Sequence, residues 1–457
     1  MLRLREPQET LWDQLLPPQA RTLSDELATV DAWLSDERFF EPYRQRFNTH
    51  RGRPTVPVET YLRLMYLKHR YGFGYETLVR EVADSLHWRR FCHIALDAEV
   101  PHPTTLSKLT RKYGPDVLHE LNQRLVQQAR ERKVLRGRKL RVDTTVIQAP
   151  IEYPTDIGLL ADSVRVVTRT VHHLQAAGAA MRTAFRTRTR TIKQALRTVG
   201  QALRTRTGEA NTVVEAQTAR VFTVTRQVVR QAERILVNSR RSMRRRDDRA
   251  TAIVQRGCTR LQHTLHLTAR VMAQTAQRLQ GITTIPDRLV SLFDPEARPI
   301  RRGKLSAKTE FGYKALLTET EERLITHYEV HRGNPGDGAL LPVAFAEHVQ
   351  AVDTVPRAVA TDRGFGSKAN EAMLAGHGVR RISLPYAGRL SAPRRAHEHQ
   401  RWFQRLQDWR AGVEATISLG SRKYEWRRSR LRGQAGAAIW FGFGILAHNL
   451  GRLVILG

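Results

Sequence analysis

Cysteine is nearly absent from this 457-residue chain: Cys92 and Cys258 are the only two, and no Cys-x-x-Cys pair exists. That excludes a disulfide framework and a cysteine-built zinc cluster. Long apolar runs are missing too. The most apolar stretch, residues 435–457, is interrupted by His448, Asn449 and Arg452. No uninterrupted run reaches the roughly 18 residues of a membrane span, so this stretch is expected to be a buried C-terminal helix. The first residues lack the apolar core of a secretory signal, which points to the cytoplasm. No Walker-type or Rossmann-type glycine pattern occurs, which leaves ATP or NAD dependence unsupported. Acid is scarce: 44 Asp and Glu stand against 76 Lys and Arg, a net charge of +32 with a pI near 11.2. A small-molecule enzyme has no use for such an excess. A protein that holds a polyanion does, because each neutralised phosphate releases counterions.

The remaining composition, 41% hydrophobic and 26% charged, is that of a folded protein. The length predicts two to four domains at roughly 100–200 residues each. Residues 1–135 read as short helices joined by tight turns. Val58, Leu62, Met65 and Tyr66 keep helical spacing between Pro57 and Gly72. Further helices are expected over 75–85, 86–94, 104–114 and 115–132, with Thr104 or Thr105 as cap and Gly114 as stop for the third. Such an array resembles helix-turn-helix proteins. Its 104–112 helix offers Lys108 and Arg111 as DNA contacts, beside Thr104, Thr105 and Ser107. A plain helical bundle with a solvated basic face has the same pattern.

At 138–150 the pattern changes to a strand with Asp143 in its middle. A carboxylate inside an apolar strand is costly unless a metal ion or a cation compensates it. Residues 155–285 then read as long helices in an antiparallel hairpin, with a turn near 207–211 and a second corner at 240–249. Residues 165–280 hold 23 Arg and one Lys against five acids, with Phe185 and Phe222 the only aromatics. More than half of the net charge lies in a quarter of the chain. Residues 182–190 are expected to form a basic helical stripe. A like-charged face repels itself unless a polyanion lies alongside.

Residues 294–306 read as a linker. A hairpin over 310–320 and 322–333 follows, then a loop to 342 and a helix over 343–352. Residues 357–385 read as strand, turn, helix, strand, and helices follow over 396–418 and 433–454. With 151–298 removed, that order predicts an α/β architecture, a mixed sheet with helices on its faces. Asp362 follows the strand at 358–360, where α/β sheets place their sites. Glu414 shares a helical face with Arg410, four residues earlier. Together with Asp143 these carboxylates suit two divalent ions about 3.5–4 Å apart. All-oxygen ligands favour Mg2+, with Mn2+ as a substitute. Spacing alone does not select them over Glu398, Asp156, Asp162 or Asp353. His397 and His399 lack a zinc-protease spacing, and Trp402 and Trp409 read as core, with base stacking as the alternative.

Several segments resemble the DDE transposases of bacterial insertion sequences, whose catalytic domain is ribonuclease-H-like. They are residues 57–92, 143–169, 311–317 and 362–370, then 410–418 with its Arg-x-Gly-x-Glu pattern, and 427–433. The resemblance implies that Asp143, Asp362 and Glu414 are the DDE triad. It further implies that Arg410 holds transposon-end DNA near it. Members often carry tyrosine three residues before that arginine and lysine seven after the glutamate. Here those positions are Gln407 and Ser421, with Arg422 and Lys423 as substitute phosphate contacts.

Three parts are therefore expected: a helical DNA-binding region (1–135), a ribonuclease-H-like catalytic domain (136–150 plus 299–457), and an Arg-rich helical insertion (151–298). The implied activity is metal-dependent strand cleavage and strand transfer, with two Mg2+ ions. The implied partners are double-stranded DNA, as terminal repeats and target, and a second copy in a synaptic complex. The resemblance places the protein in the bacterial cytoplasm, at the nucleoid. A nuclease without strand transfer and an inactive, element-derived DNA-binding protein are the alternatives.

Overall fold

Strand and helix signals resolve into a six-stranded mixed sheet and a separate helical body in the computed structural model. It describes residues 1–5, 17, 22–46, 52–205, 209–243, 248–301 and 309–457. The chain divides into two units, residues 1–150 with 300–457, and residues 151–299.

The first unit opens with α1 (Asp25–Leu34), α2 (Val58–Tyr71), α3 (Tyr75–Asp84), α4 (Leu86–Phe91) and α5 (Pro103–Glu131). The two helices expected over 104–132 form one span broken at Gly114, whose φ of 78° and ψ of 177° are open to glycine and strained for other residues. Strand β1 (Lys139–Gln148) runs through the sheet centre. After the insertion come β2 (Arg298–Arg301), β3 (Thr309–Thr320) and β4 (Ile325–Arg332). Their order is β2-β3-β1-β5-β6, with β4 also paired to β3, where β5 is Ala358–Thr361 and β6 Arg381–Ser383. β1 runs antiparallel to β3 and parallel to β5. The expected linker thus contains a strand, and its residues 302–306 lie outside the described residues.

The helix expected at 343 begins six residues earlier, as Asp337–Val352, here α10. Pro342 suggests a boundary, yet it sits inside the helix. Its missing N–H frees the carbonyl of Gly338, four residues back, and the Asn370 amide donates to that oxygen at 2.9 Å. After α11 (Lys368–Gly376), the helix expected over 396–418 is two, α12 (Ala392–Glu398) and α13 (Arg401–Lys423).

The C-terminal helix α14 (Gly433–Leu456) is buried on nearly every side, as an all-round apolar helix must be. By length and hydropathy it could cross a membrane, but 72% of its most apolar window is buried inside the protein. The polar residues that interrupt it pin the β3–β4 turn. His448 bonds the Arg323 carbonyl at 3.0 Å, and Asn449 bonds both backbone groups of Ile325 as well as Asn122 of α5. The N-terminal helices and the sheet thus share one polar core.

The second unit contains α6 (Asp156–Ala176), α7 (Thr189–Thr205), α8 (Ala210–Met243) and α9 (Asp248–Leu279). Their apolar stripes, including Val164, Val171, Ile192, Val228, Ile235 and Leu261, form one core. Buried Thr225, Thr268 and Thr275 satisfy their hydroxyls on carbonyls four residues earlier. Among the described residues these are four helices, where the sequence pattern suggests long helices in a hairpin with one turn and a second corner. Residues 182–188 belong to a non-helical connection between α6 and α7, so the stripe expected at 182–190 is not helical over most of its length. Gly and Thr leave helix propensity weak around 178–189, and the arginine spacing conceals that. The corners expected near 207–211 and 240–249 fall partly on 206–208 and 244–247, outside the described residues.

Candidate active site

Asp143 is placed by β1 and Asp362 by the end of β5. Val142 sits opposite Thr361 in the parallel register, so the next residue of each strand stands beside the other. Asp143 is only 8% exposed. It accepts the Thr144 N–H at 2.7 Å and lies 3.5 Å from the Arg410 guanidinium. Burial, then the negative charge of Asp362, pushes its carboxyl up to about 6, against the pull of the Thr144 amide and Arg410. Glu414 adds a smaller push in the same direction. Asp362 is also raised, by burial and then by Asp337, although Gly364 N–H donates to it at 2.9 Å and Arg410 and Lys314 draw it down.

Glu414 and Arg410 lie on α13, one turn apart. Glu414 is exposed, whereas Arg410 reaches inward to Asp143, with its Nε buried and without a hydrogen-bond partner among the described residues. A buried ion pair fixes this helix. Arg141, two residues before Asp143, donates from Nε and Nη2 to the two Glu319 oxygens at 2.9 and 2.8 Å. Its Nη1 donates to the Trp409 carbonyl at 2.6 Å, and the Thr416 hydroxyl donates to Glu319 at 2.8 Å. Gly412 is required by this close approach. A Cβ there would lie 2.6 Å from Arg141 Nη1. The glycine of the Arg-x-Gly-x-Glu pattern thus makes room for the arginine that seats the helix against the sheet.

Sequence reasoning misses Asp337, Lys314, Arg141 and Glu319. Asp337, in the first turn of α10, pairs with Lys314 Nζ at 2.6 Å and accepts the Thr144 hydroxyl at 3.2 Å. A helix beginning at 343 would leave it in a loop. Lys314, Arg141 and Glu319 are charges within apolar strands, and the desolvation reasoning that singles out Asp143 applies equally to them. Gln407 donates to the Thr361 carbonyl at 3.2 Å and to the Ser383 carbonyl at 2.9 Å. It therefore ties α13 to the ends of β5 and β6. Trp409 and Trp402 pack on Ala358, Ala360 and Leu406, as core residues do.

Among the other candidates, Lys108 and Arg111 lie on the exposed face of α5, and Arg422 and Lys423 are exposed in the last turn of α13. None of these four joins the carboxylate cluster. Glu398 is occupied by Arg394 and the Tyr386 amide, Asp156 by Arg288, and Asp162 by Arg165. Asp353 is exposed at the end of α10. Cys92 and Cys258 are buried and unpaired.

Among the described residues, no three His, Cys, Asp or Glu side chains converge closely enough to enclose a metal ion as they stand. The donor chemistry of the central pair nevertheless fits a hard divalent cation. Asp143 is buried and Asp362 half-buried, both are raised by burial and then by neighbouring negative charge, and a cation between them replaces repulsion with attraction.

Two family descriptions match the chain: "Transposase domain (DUF772)" over residues 12–112 and "Transposase DDE domain" over residues 287–450. The second contains Asp362, Arg410 and Glu414, and Asp143 lies outside both. The DDE domain carries the ribonuclease-H-like fold, in agreement with the mixed sheet. The chain matches no curated protein and no solved structure.

Proposed function

The chain belongs to the DDE transposases of insertion sequences, and from that premise we propose that Asp143, Asp362 and Glu414 carry DNA strand cleavage and strand transfer. The reading is supported chiefly by one observation, the side-by-side carboxylates of buried Asp143 in β1 and half-buried Asp362 just after the parallel β5, both raised by burial and then by neighbouring acids. Glu414, from α13, is the third ligand. Mg2+ ions, or Mn2+ in their place, would supply an activated water and stabilise the leaving oxygen of the phosphodiester. Arg410 balances Asp143 before DNA binds and then faces the phosphate. The Arg141–Glu319 pair holds α13 at the required distance.

Both steps are in-line displacements at phosphorus. Water first frees a 3′-OH at the element's end, and that 3′-OH then attacks a target phosphodiester, with the departing oxygen taking up a proton at each step. Lys108 and Arg111 contact the terminal repeat, Arg422 and Lys423 contact phosphates, and the exposed arginines of 151–299 clamp the backbone without reading sequence. A dimer holds both ends in one synaptic complex.

The test incubates the full chain with a linear duplex carrying the DNA that flanks its own gene, with Mg2+, beside Asp143→Ala, Asp362→Ala and Glu414→Gln. Metal-dependent nicks at one position, absent from all three variants while binding persists, are expected. Joined products with a second duplex separate a transposase from a nuclease. Binding without nicks in either Mg2+ or Mn2+ would mean an inactive, DNA-binding descendant.

A further inference from the structure

A second basic feature lies beyond the far end of β1. Pro150, Ser421, Glu425, Arg427, Arg428, Ser429 and Arg430 line an open cleft of ≈ 530 Å³. Its wall is a fixed segment of backbone. Gln148 N–H donates to the Arg427 carbonyl at 2.8 Å, and Ser429 N–H returns to the Gln148 carbonyl at 3.0 Å. Trp440 Nε1 donates to the Glu425 carbonyl at 2.8 Å, and the Ser429 hydroxyl to that of Leu431 at 2.7 Å. Glu425 itself takes a left-handed φ of 58°, a conformation that costs a non-glycine residue and is kept only where its surroundings enforce it.

The charges on this wall are uneven. Glu425, the only acid among the described lining residues, is already engaged: Arg430 lies 2.7 Å away, and the buried Lys68 ammonium stands 3.9 Å behind it. Arg427 and Arg428 are exposed and have no acid within ion-pair distance among the described residues. A hydrogen-bonded backbone thus carries two exposed guanidinium groups without an acidic partner among the described residues, a side-chain type whose forked donors suit phosphate oxygens.

We infer that this cleft binds the phosphodiester backbone of a DNA strand running from the Asp143 site, through Arg427 and Arg428 with Arg430 beside them. The inference rests on the DNA-processing function proposed above. Gln148, which pins the cleft, is five residues along β1 from Asp143, about 17 Å at roughly 3.3 Å per residue. At roughly 3.4 Å of duplex axis per phosphate of one strand, the cleft meets DNA about five nucleotides from the scissile bond.

The experiment measures the salt dependence of binding of the full chain to a random-sequence duplex in EDTA, where no cleavage occurs. The Arg427→Ala/Arg428→Ala variant is expected to lower the slope of log K against log salt by about 1.8, two phosphates at about 0.9 each. Arg380→Ala/Arg381→Ala removes the same charge from exposed arginines at the start of β6, at the opposite end of the parallel strands, and should leave the slope unchanged. An unaltered slope in the first variant, or an equal fall in both, would overturn the inference. Because nicking plays no part, the triad and the cleft can fail separately: normal nicking with an unaltered slope removes only the cleft, and a lowered slope without nicks removes only the triad.

Discussion

The helical unit and the sheet unit handle charge in opposite ways. Along the helices α6–α9 of the helical unit, charge stays outside among the described residues. A stripe of Val, Leu and Ile fills the core, and Arg197, Arg220, Arg226 and Arg230 are exposed, with no acid within ion-pair distance among the described residues. In the sheet unit charge goes inside. Asp143, Arg141 and Glu319 are all buried, and each is compensated by a partner from another element. Exposed like charges cost little to fold, since water screens them, and remain available to a polyanion. Buried charges are costly to desolvate and are retained where one geometry must be held. The first arrangement suits a surface that grips any DNA sequence. The second suits chemistry at one phosphorus atom.

Substitutions can break or sharpen this contrast. The largest effect is expected for Arg141→Ala, which leaves Glu319 buried and unpaired and should cost ~3–5 kcal/mol, read by denaturant unfolding. Glu319→Gln, which keeps the Thr416 bond, should cost less. If Arg141→Ala proves as mild as Arg197→Ala, the distinction between inner and outer charge collapses. Next comes Leu261→Ala in the helical core, expected to cost ~2–5 kcal/mol. Calorimetry should show that destabilisation in one transition and leave the sheet unit's transition in place; a single transition shifting as a whole would deny the units separate stability.

Gly412→Ala is expected to be intermediate, ~1–3 kcal/mol, because its methyl meets the Arg141 guanidinium. It should also slow nicking by displacing Arg410 and Glu414. Unchanged stability together with unchanged nicking would remove the close approach as the reason for that glycine. The smallest stability effects belong to Arg197→Gln, Arg220→Gln, Arg226→Gln and Arg230→Gln, each within about 0.5 kcal/mol. Combined, they should still flatten the salt dependence of DNA binding by about 0.9 for each phosphate that is no longer neutralised. A stable protein with an unchanged slope would show that this face does not hold DNA.

The departures from expectation share one cause. Pro342 and the arginine run at 182–190 mislead because each is a purely local pattern. Pro342 stays helical because Asn370, 28 residues later, satisfies the carbonyl it frees. Asp337 escapes notice for the same reason: its place in the site depends on where α10 begins. The strands around Asp143 and Asp362, the hairpin, the helix with Arg410 and Glu414 and the buried C-terminal helix are legible, since each has a hydrophobic period and local boundary signals.

The sequence by itself determined the α/β class, the basic insertion and the acids worth considering, because composition, periodicity and charge are properties of short segments. Only the tertiary structure decided that Asp143 lies beside Asp362, that Arg410 turns inward while Glu414 stays exposed, and that Gly412 exists for Arg141. Those facts depend on strand register and on which residues distant in the chain satisfy a buried charge. No local pattern encodes them, because the free energy of a buried charge is set by its partners in space.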